Sequence, residues 1–118
     1  MKLREALTYD DVLLTPQYST IRSRKEINIG NNLDDRIHLD LPIISSPMDT
    51  VTEVDMSIAM CNAGGLGVVH RYNTIKEQCD LIRDCAHTAA AVGVTGDYLK
   101  RAVNLFDVGA NIICIDVA

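Results

Sequence analysis

The stretch Gly64-Gly65-Leu66-Gly67-Val68-Val69-His70-Arg71 contains a four-residue apolar run between a pair of glycines and a pair of polar residues. Similar apolar runs begin at residues 43, 66, 89 and 112, so consecutive runs start 23 residues apart. Each run is too short to be a buried helix, and we interpret all four as buried strands. The constant interval predicts a repeating strand–helix unit.

Helical signals lie between the four runs, as a parallel sheet requires, because a tight turn cannot join parallel strands. The first predicted helix follows Thr50-Val51-Thr52-Glu53, a capping-box pattern, and ends at Gly64-Gly65. The second opens with another capping box, formed by Thr74 and Glu77, and the third closes at Gly109. Three helices are therefore expected between the strands.

The second and third predicted helices each carry apolar residues at helical spacing, which indicates a face packed on the sheet. These residues are Ile75, Cys79, Ile82 and Ala86 on the second helix, and Leu99, Ala102, Val103 and Phe106 on the third.

Residues 1–41 form a less regular region. Alternating apolar and polar residues at 27–29 and 37–41 flank the turn-forming sequence Gly30-Asn31-Asn32, and this pattern predicts a β-hairpin. We therefore divide the chain into an N-terminal extension with a β-hairpin, residues 1–41, and a strand–helix region, residues 42–118.

Composition and charge exclude several classes of protein. The 118 residues fit one domain or a piece of a larger one, and 47% hydrophobic with 23% charged residues is typical of a folded chain. The net charge of -5 argues against a nucleic-acid partner. No apolar run approaches the roughly 20 residues that cross a bilayer, and no apolar signal segment follows the N-terminus, so we expect neither a membrane span nor secretion.

The four cysteines, at positions 61, 79, 85 and 114, are too few for a disulfide scaffold and include no CxxC pair. The sequence therefore predicts no metal site, and we expect reduced thiols in a cytoplasmic protein. Each cysteine falls on a predicted helix or strand, where a small buried hydrophobe is a commoner role than a catalytic thiol.

Polar side chains follow the predicted strands, at the edge of the sheet where ligand sites of α/β proteins form. They are Ser45, Ser46, Met48 and Asp49 after the first strand, His70, Arg71, Tyr72 and Asn73 after the second, Thr95, Gly96 and Asp97 after the third, and Asp116 at the end of the fourth.

Most of these residues also have a purely structural explanation. The two serines can cap their strand, Asp49 can be a charge at a helix N-terminus, and a lone His70 or Arg71 is more often structural than catalytic. Asp116 differs, because an acid in an otherwise apolar strand is costly to bury and needs a partner. We therefore favour a functional role for Asp116.

Two folds fit four successive strand–helix units, namely a doubly wound sheet and part of a (β/α)8 barrel. A complete barrel takes about 250 residues, so this chain would supply half of one and leave two strand edges unpaired. Periodicity alone leaves both folds open.

Three stretches together resemble the N-terminal part of the IMP dehydrogenase and GMP reductase family. They are Leu7-Thr8-Tyr9-Asp10-Asp11-Val12-Leu13-Leu14, Ser45-Ser46-Pro47-Met48-Asp49-Thr50-Val51-Thr52-Glu53 and the glycine-rich stretch from Gly64 to Arg71. The resemblance implies a (β/α)8 TIM barrel, usually homotetrameric, of which this chain supplies the hairpin region and about the first four strands. It also implies binding of a purine 5′-monophosphate, IMP or GMP, and of NAD or NADP.

The resemblance assigns roles to five residues by position. Ser46 and Met48 match residues that touch the nucleotide, and Asp49 belongs to the same loop. Asp116 matches the aspartate that holds the nicotinamide ribose, and Arg71 stands where the reductases have a lysine that partners this aspartate. Arginine keeps its proton at neutral pH, so the resemblance implies charge stabilisation by Arg71 rather than proton relay.

In the dehydrogenases that the chain resembles, a cysteine thiolate attacks C2 of IMP, hydride passes to NAD, and hydrolysis releases XMP. The reductases form a similar adduct with GMP, release ammonia and consume NADPH to make IMP. The family's cysteine loop, with its potassium site, follows a later strand, and none of the four cysteines here matches it. We therefore expect the 118 residues alone to be inactive, with potassium bound only in the complete enzyme.

The sequence carries features of both branches of the family. The stretch from Ser45 to Glu53 is closer to the dehydrogenases, whereas residues 19–26 and 115–118 are closer to the reductases. The short link from Arg83 to Ala89 leaves no room for the paired regulatory domains of many dehydrogenases. We favour the dehydrogenase, with the reductase as the alternative. A non-catalytic fragment or a half-barrel subunit that needs a complementary chain is an alternative of another class.

Overall fold

The fold is described from a computed structural model, which describes residues 4–83 and 88–117. Strands β1 (Asn31–Asn32) and β2 (His38–Leu39) precede the alternating region. That region comprises β3 (Ile44–Ser45), α1 (Val54–Asn62), β4 (Leu66–Val69), α2 (Ile75–Ile82), β5 (Ala89–Val92), α3 (Tyr98–Asp107) and β6 (Ile112–Ile115). The predicted positions Cys85, Ala86 and Ala118 lie outside the described residues.

The four strands of the alternating region form one parallel sheet in the order β3-β4-β5-β6. Ile44 lies opposite Leu66, and Ala89 lies opposite Ile112. A doubly wound sheet reverses its strand order at a switch point, whereas the strands of a (β/α)8 barrel follow one another around the wall. The sequential order therefore identifies part of a (β/α)8 barrel, with α1, α2 and α3 on its outer side.

The predicted β-hairpin is present, but its turn is not at Gly30-Asn31-Asn32. Asn31 pairs with Leu39 and Asn32 pairs with His38, so the asparagines belong to a strand. The turn spans residues 33–37, where the Asp34 carboxylate accepts the backbone N–H groups of Arg36 and Ile37 at 2.8 Å. Because Asp34 satisfies these backbone donors, the turn forms three residues further along the chain than predicted.

Apolar side chains cover both faces of the sheet. On the helix side, strand residues such as Val69 and Ala90 pack with Cys79, Ile82 and Leu105. The opposite face, which is the inner face of the barrel wall, carries the cluster Leu39, Leu66, Val68, Ala89 and Ala91. The hairpin contributes Leu39 to this second cluster, and this part of the extension therefore packs against the inner face.

The capping box predicted before α1 is not formed. Thr52 is fully buried, and its hydroxyl donates to the carbonyl oxygen of Ser46 at 2.6 Å. Glu53 occupies the N-cap position, but its side chain makes no capping hydrogen bond. The Glu53 carboxylate instead lies 3.2 Å from His70 Nε2, so the predicted box between Thr50 and Glu53 is replaced by a tertiary contact. The helix does end at the predicted glycines, where Gly64 adopts φ +81° and the N–H of Gly65 reaches the Met60 carbonyl at 2.8 Å.

The capping box predicted for α2 is confirmed. The Thr74 hydroxyl accepts the Glu77 N–H at 3.2 Å, and the Glu77 carboxylate accepts the Thr74 N–H at 2.8 Å. The Thr74 hydroxyl also donates to this carboxylate at 2.8 Å, and the two bonds that Thr74 donates lower the pKa of Glu77. The apolar face of α2 is also as predicted, with Cys79 and Ile82 buried.

The apolar stripe predicted for α3 faces away from the sheet. Leu99, Val103 and Phe106 are each more than half exposed, whereas Arg101 and Leu105 are the buried residues of the helix. Only Ala102 of the predicted stripe packs against the core. Arg101 can occupy the side of α3 that faces the sheet because polar groups of neighbouring elements surround its guanidinium, as described below.

Within the described residues, no helix is both long enough and apolar enough to traverse a lipid bilayer.

Candidate functional site

The carboxyl-terminal edge of the sheet brings Arg71 and Asp116 together. Arg71 follows β4, Asp116 follows β6, and the Arg71 Nε lies 3.4 Å from the Asp116 Oδ2. The two side chains are each 29% exposed, so the pair is neither buried nor fully solvated. Residues that are 45 positions apart therefore form an ion pair at the edge where we expected ligand chemistry.

The Arg71 side chain reaches Asp116 by passing the end of β5. A Cβ added to Gly93 would lie 3.7 Å from Arg71 Nη1, an ordinary packing distance. The guanidinium carbon of Arg71 also lies 5.3 Å from the centre of the Tyr72 ring, within range of a cation–π interaction. The guanidinium is thus held on the edge by a carboxylate and a ring, and it keeps its positive charge.

His70 has a structural arrangement rather than a catalytic one. Its Nδ1 accepts the Tyr72 N–H at 3.2 Å, and its Nε2 lies 3.2 Å from Glu53 Oε1. Because a backbone N–H can only donate, Nδ1 is an acceptor and the proton resides on Nε2. The imidazole is almost fully buried and joins the end of β4 to the N-terminus of α1.

The loop after β3 holds the predicted nucleotide-binding residues. Ser46, Met48 and Asp49 are all exposed, and the Val51 and Thr52 N–H groups both donate to the Met48 carbonyl at 2.9 Å. The Thr52 hydroxyl is also 2.8 Å from the Ser45 hydroxyl, which fixes the base of the loop. These three residues share the sheet edge with Arg71 and Asp116, but within the described ranges they form no bond to that ion pair.

Two of the cavities at this edge adjoin the loop after β4. One of about 310 Å³ is lined by residues after β4, β5 and β6, among them Arg71, Gly93, Thr95, Asp97 and Val117. The other, of about 570 Å³, is lined by Asp49 and Tyr72 together with Glu53 at the N-cap of α1 and acidic residues of α2. The predicted site residues Arg71 and Asp49 thus line different cavities, and only the first adjoins the ion pair.

A buried polar network was missed by the sequence analysis. The Arg101 Nη1 donates to Gln78 Oε1 at 2.8 Å, and the Gln78 amide in turn donates to the Ala91 carbonyl oxygen at 2.8 Å. Gln78 is fully buried. The sequence offered one signal for this network. Gln78 lies directly before Cys79, and Arg101 lies four positions before Leu105, so both polar residues fall on helix faces that pack against the sheet.

Cys79 and Cys114 each pack against one of the two apolar clusters. Burial raises the pKa of the Cys79 and Cys114 thiols, which keeps them protonated and poorly nucleophilic. Across residues 4–83 and 88–117, no three His, Cys, Asp or Glu side chains cluster as metal ligands.

Known proteins similar to this chain belong to one family. The family model described as IMP dehydrogenase / GMP reductase domain matches residues 6–118. A GMP reductase of Leishmania donovani is 51% identical over 81 residues, which is 69% of this chain and 16% of that protein. An inosine-5′-monophosphate dehydrogenase of Nitrosopumilus maritimus (strain SCM1) is 48% identical over 80 residues, which is 68% of this chain and 17% of that protein.

A solved structure shares the fold. The crystal structure of inosine 5′-monophosphate dehydrogenase from Legionella pneumophila matches with a TM-score of 0.84 and 39% identity, over 97% of this chain and 36% of that one. The chain thus spans about a sixth of the curated relatives it matches. It belongs to the IMP dehydrogenase / GMP reductase family of oxidoreductases and forms part of the family's (β/α)8 barrel.

Proposed function

We propose that this chain is part of a purine nucleotide oxidoreductase of the IMP dehydrogenase type. The reaction converts IMP, NAD and water into XMP and NADH through an intermediate bound to a cysteine outside these 118 residues. The observation that carries the proposal is the Arg71–Asp116 ion pair, which adjoins a cavity at the carboxyl edge of the barrel strands. In this fold, that edge is where active sites form.

The residues around the ion pair fit a nicotinamide nucleotide. Ribose hydroxyls require a hydrogen-bond acceptor, and Asp116 presents a partly exposed carboxylate of which Oδ2 faces Arg71. The neighbouring cavity of about 310 Å³ suits one nucleoside portion rather than a whole dinucleotide. When bound, the nicotinamide accepts a hydride. Asp116 would hold the ribose, and Arg71 would place a fixed positive charge beside it.

The loop after β3 would hold the purine nucleotide. Met48 is half exposed and offers an apolar surface to a base, while Ser46 and Asp49 offer polar groups. The Thr52 hydroxyl holds the Ser46 carbonyl and thereby keeps this loop in one conformation. We further propose a homotetrameric cytoplasmic enzyme with reduced thiols, which binds potassium through a loop outside these residues.

GMP reductase is the second candidate. Arg71 and Asp116 stand where the reductases have a lysine–aspartate pair, and the reductase of Leishmania donovani is 51% identical in the matched region. In this reaction, GMP and NADPH yield IMP and ammonia. A half barrel without activity of its own, which requires a complementary chain, is the alternative outside catalysis.

Assays of the full-length protein separate these proposals. IMP with NAD is expected to yield XMP and NADH, followed by absorbance and chromatography. GMP with NADPH that yields ammonia would instead assign the reductase. Activity with neither pair would overturn both assignments and favour the non-catalytic alternative. The 118 residues alone are the control, and we expect no turnover from them.

A further inference from the structure

Arg101 is a buried arginine on the side of α3 that faces the sheet, with 7% of its surface exposed. Its Nη1 donates to Gln78 Oε1 at 2.8 Å and to Asn73 Oδ1 at 3.3 Å. Its Nη2 donates to the Asn73 carbonyl oxygen at 2.9 Å and to Asp97 Oδ2 at 3.2 Å. A buried cation is tolerated only where acceptors replace its water, and here both terminal nitrogens have two acceptors each.

The acceptors belong to different elements, so the guanidinium joins them. Asp97 is the N-cap residue of α3, Gln78 belongs to α2, and Asn73 belongs to the loop 70–74 between β4 and α2. Gln78 extends the connection to β5, because its amide donates to the Ala91 carbonyl oxygen. Arg101 therefore joins the loop 70–74 to α2 and α3.

The loop 70–74 also carries Arg71. The carbonyl oxygen held by Arg101 belongs to Asn73, two residues after Arg71, and the Tyr72 N–H between them is held by His70. The Arg71 guanidinium meets Asp116 at 3.4 Å, the upper limit of a useful hydrogen bond, so a small movement of the loop backbone would break the contact. A planar guanidinium can hold Gln78 through Nη1 and the Asn73 carbonyl through Nη2 at once, whereas an ammonium group is a single point.

We propose that Arg101 is a positioning residue for Arg71. It holds the loop 70–74 through Asn73 and thereby keeps the Arg71 guanidinium against Asp116, and it neither transfers a proton nor contacts the reacting atoms. The expected effect on turnover rests on the function proposed above. The expected effect on the loop does not, because it follows from the contacts of Arg101 alone.

Hydrogen exchange of the full-length protein tests the effect on the loop. In Arg101→Met, we expect the amide of Tyr72 and its loop neighbours to exchange faster, while the amides of β5 between Ala90 and Val92 keep their protection. Arg83→Met is the matched control, because Arg83 forms an exposed ion pair with Asp80 on α2. Unchanged exchange in the loop, or acceleration throughout the sheet, would show that Arg101 has only a general structural role.

Turnover in a double-mutant cycle tests whether Arg101 acts through Arg71. Arg101→Met is expected to lower kcat by about 10- to 100-fold with the wild-type Arg71, as loss of positioning does. In the Arg71→Ala background, the same substitution is expected to cause no further loss. An equal loss in both backgrounds would overturn the proposal, because it would mean that Arg101 acts independently of Arg71.

Arg101→Lys keeps the comparison informative if Arg101→Met does not fold. Lysine retains the charge beside Asp97, but its single nitrogen cannot hold Gln78 and the Asn73 carbonyl together, so we expect a folded protein with a faster-exchanging loop and reduced kcat. Full turnover in this variant would contradict the proposal. If the wild-type protein converts neither IMP nor GMP, the proposed function fails, whereas the hydrogen-exchange result still decides the positioning role.

Discussion

Arg71 limits the chemistry available at the site because a guanidinium does not release its proton near neutral pH. A lysine at this position could donate and accept a proton, but Arg71 can only supply a fixed charge. The Asp116 carboxylate at 3.4 Å balances that charge, and the Tyr72 ring restricts its motion. In the proposed reaction, the pair would therefore act by electrostatics and orientation.

Replacement of Arg71 by alanine is expected to lower kcat in the full-length enzyme by about 100-fold, as removal of a charge from an active site does. The free energy of unfolding should fall by less than about 1 kcal/mol, since partly exposed ion pairs contribute little. Steady-state kinetics and urea unfolding measure the two effects. Lys76→Met, which removes an exposed ion pair with Asp80, is the control. Unchanged turnover in Arg71→Ala would make Arg71 a surface charge.

Ser57 and Thr52 are two fully buried hydroxyl residues with opposite environments. Among the residues that the structure describes, the Ser57 Oγ has no hydrogen-bond partner, whereas the Thr52 hydroxyl bonds to Ser46 and Ser45. An unpaired buried hydroxyl costs free energy, so Ser57→Ala should raise the free energy of unfolding by about 1 kcal/mol. Thr52→Val should lower it by about 1 kcal/mol or more, because the Ser46 carbonyl loses its donor. Urea unfolding of both variants gives the comparison, and destabilisation by Ser57→Ala would contradict this account.

At the scale of single elements, the two capping-box patterns show what local sequence can and cannot predict. Thr74 and Glu77 form the box because nothing else competes for their side chains. Thr50 and Glu53 match the same kind of pattern, but the Glu53 carboxylate faces His70, and the neighbouring Thr52 is buried against Ser46. Whether a cap forms depends on partners that are distant in sequence, and these are invisible to a local motif.

Thr74→Ala is expected to make stability less sensitive to acid. The Thr74 backbone N–H and, as the smaller cause, the Thr74 hydroxyl donate to the Glu77 carboxylate and lower its pKa in the folded state below the ordinary value of 4.5. Alanine at position 74 removes only the contribution of the hydroxyl. A group whose pKa is lower in the folded state stabilises the protein at any pH above its unfolded-state pKa. This stabilisation is lost as the pH falls through its folded-state pKa. When urea unfolding is measured from neutral pH down to values below the folded-state pKa of Glu77, the free energy of unfolding should therefore fall more steeply in the wild type than in Thr74→Ala. Thr50→Ala is the matched control, since Glu53 makes no capping bond, and equal slopes in all three proteins would contradict the prediction.

The candidate site was predictable in part for a similar reason. Convergence of strand ends is a rule of the fold, so it placed Arg71 and Asp116 at one edge before any distance was known. The face of α3 was predicted wrongly, because the apolar spacing of Leu99, Val103 and Phe106 outweighed Arg101 in the pattern. A buried arginine becomes plausible only when its acceptors, Asn73, Gln78 and Asp97, are known to surround it.

The whole molecule exposes far more surface than a closed domain of its size. Its accessible surface is 9314 Å², whereas a compact protein of this mass exposes about 6,300 Å². Its radius of gyration is 18.1 Å, against about 13 Å for a compact chain of about 100 residues. The excess includes the stripe on α3 and apolar residues at the open edge of β6, such as Ile115 and Val117. A (β/α)8 barrel buries such edges and helix faces against its other units.

The exposed stripe on α3 should therefore make residues 1–118 self-associate when they are produced alone. Light scattering over a range of concentrations should show species larger than one chain. Val103→Lys combined with Phe106→Lys should shift the distribution toward monomer without unfolding the chain, because both side chains are already exposed. Asp107→Lys on the same helix is the control, since it changes charge but removes no apolar surface. A monodisperse monomer at every concentration would mean that the stripe and the open edges are stable in water, and that this part of the barrel does not need a covering partner.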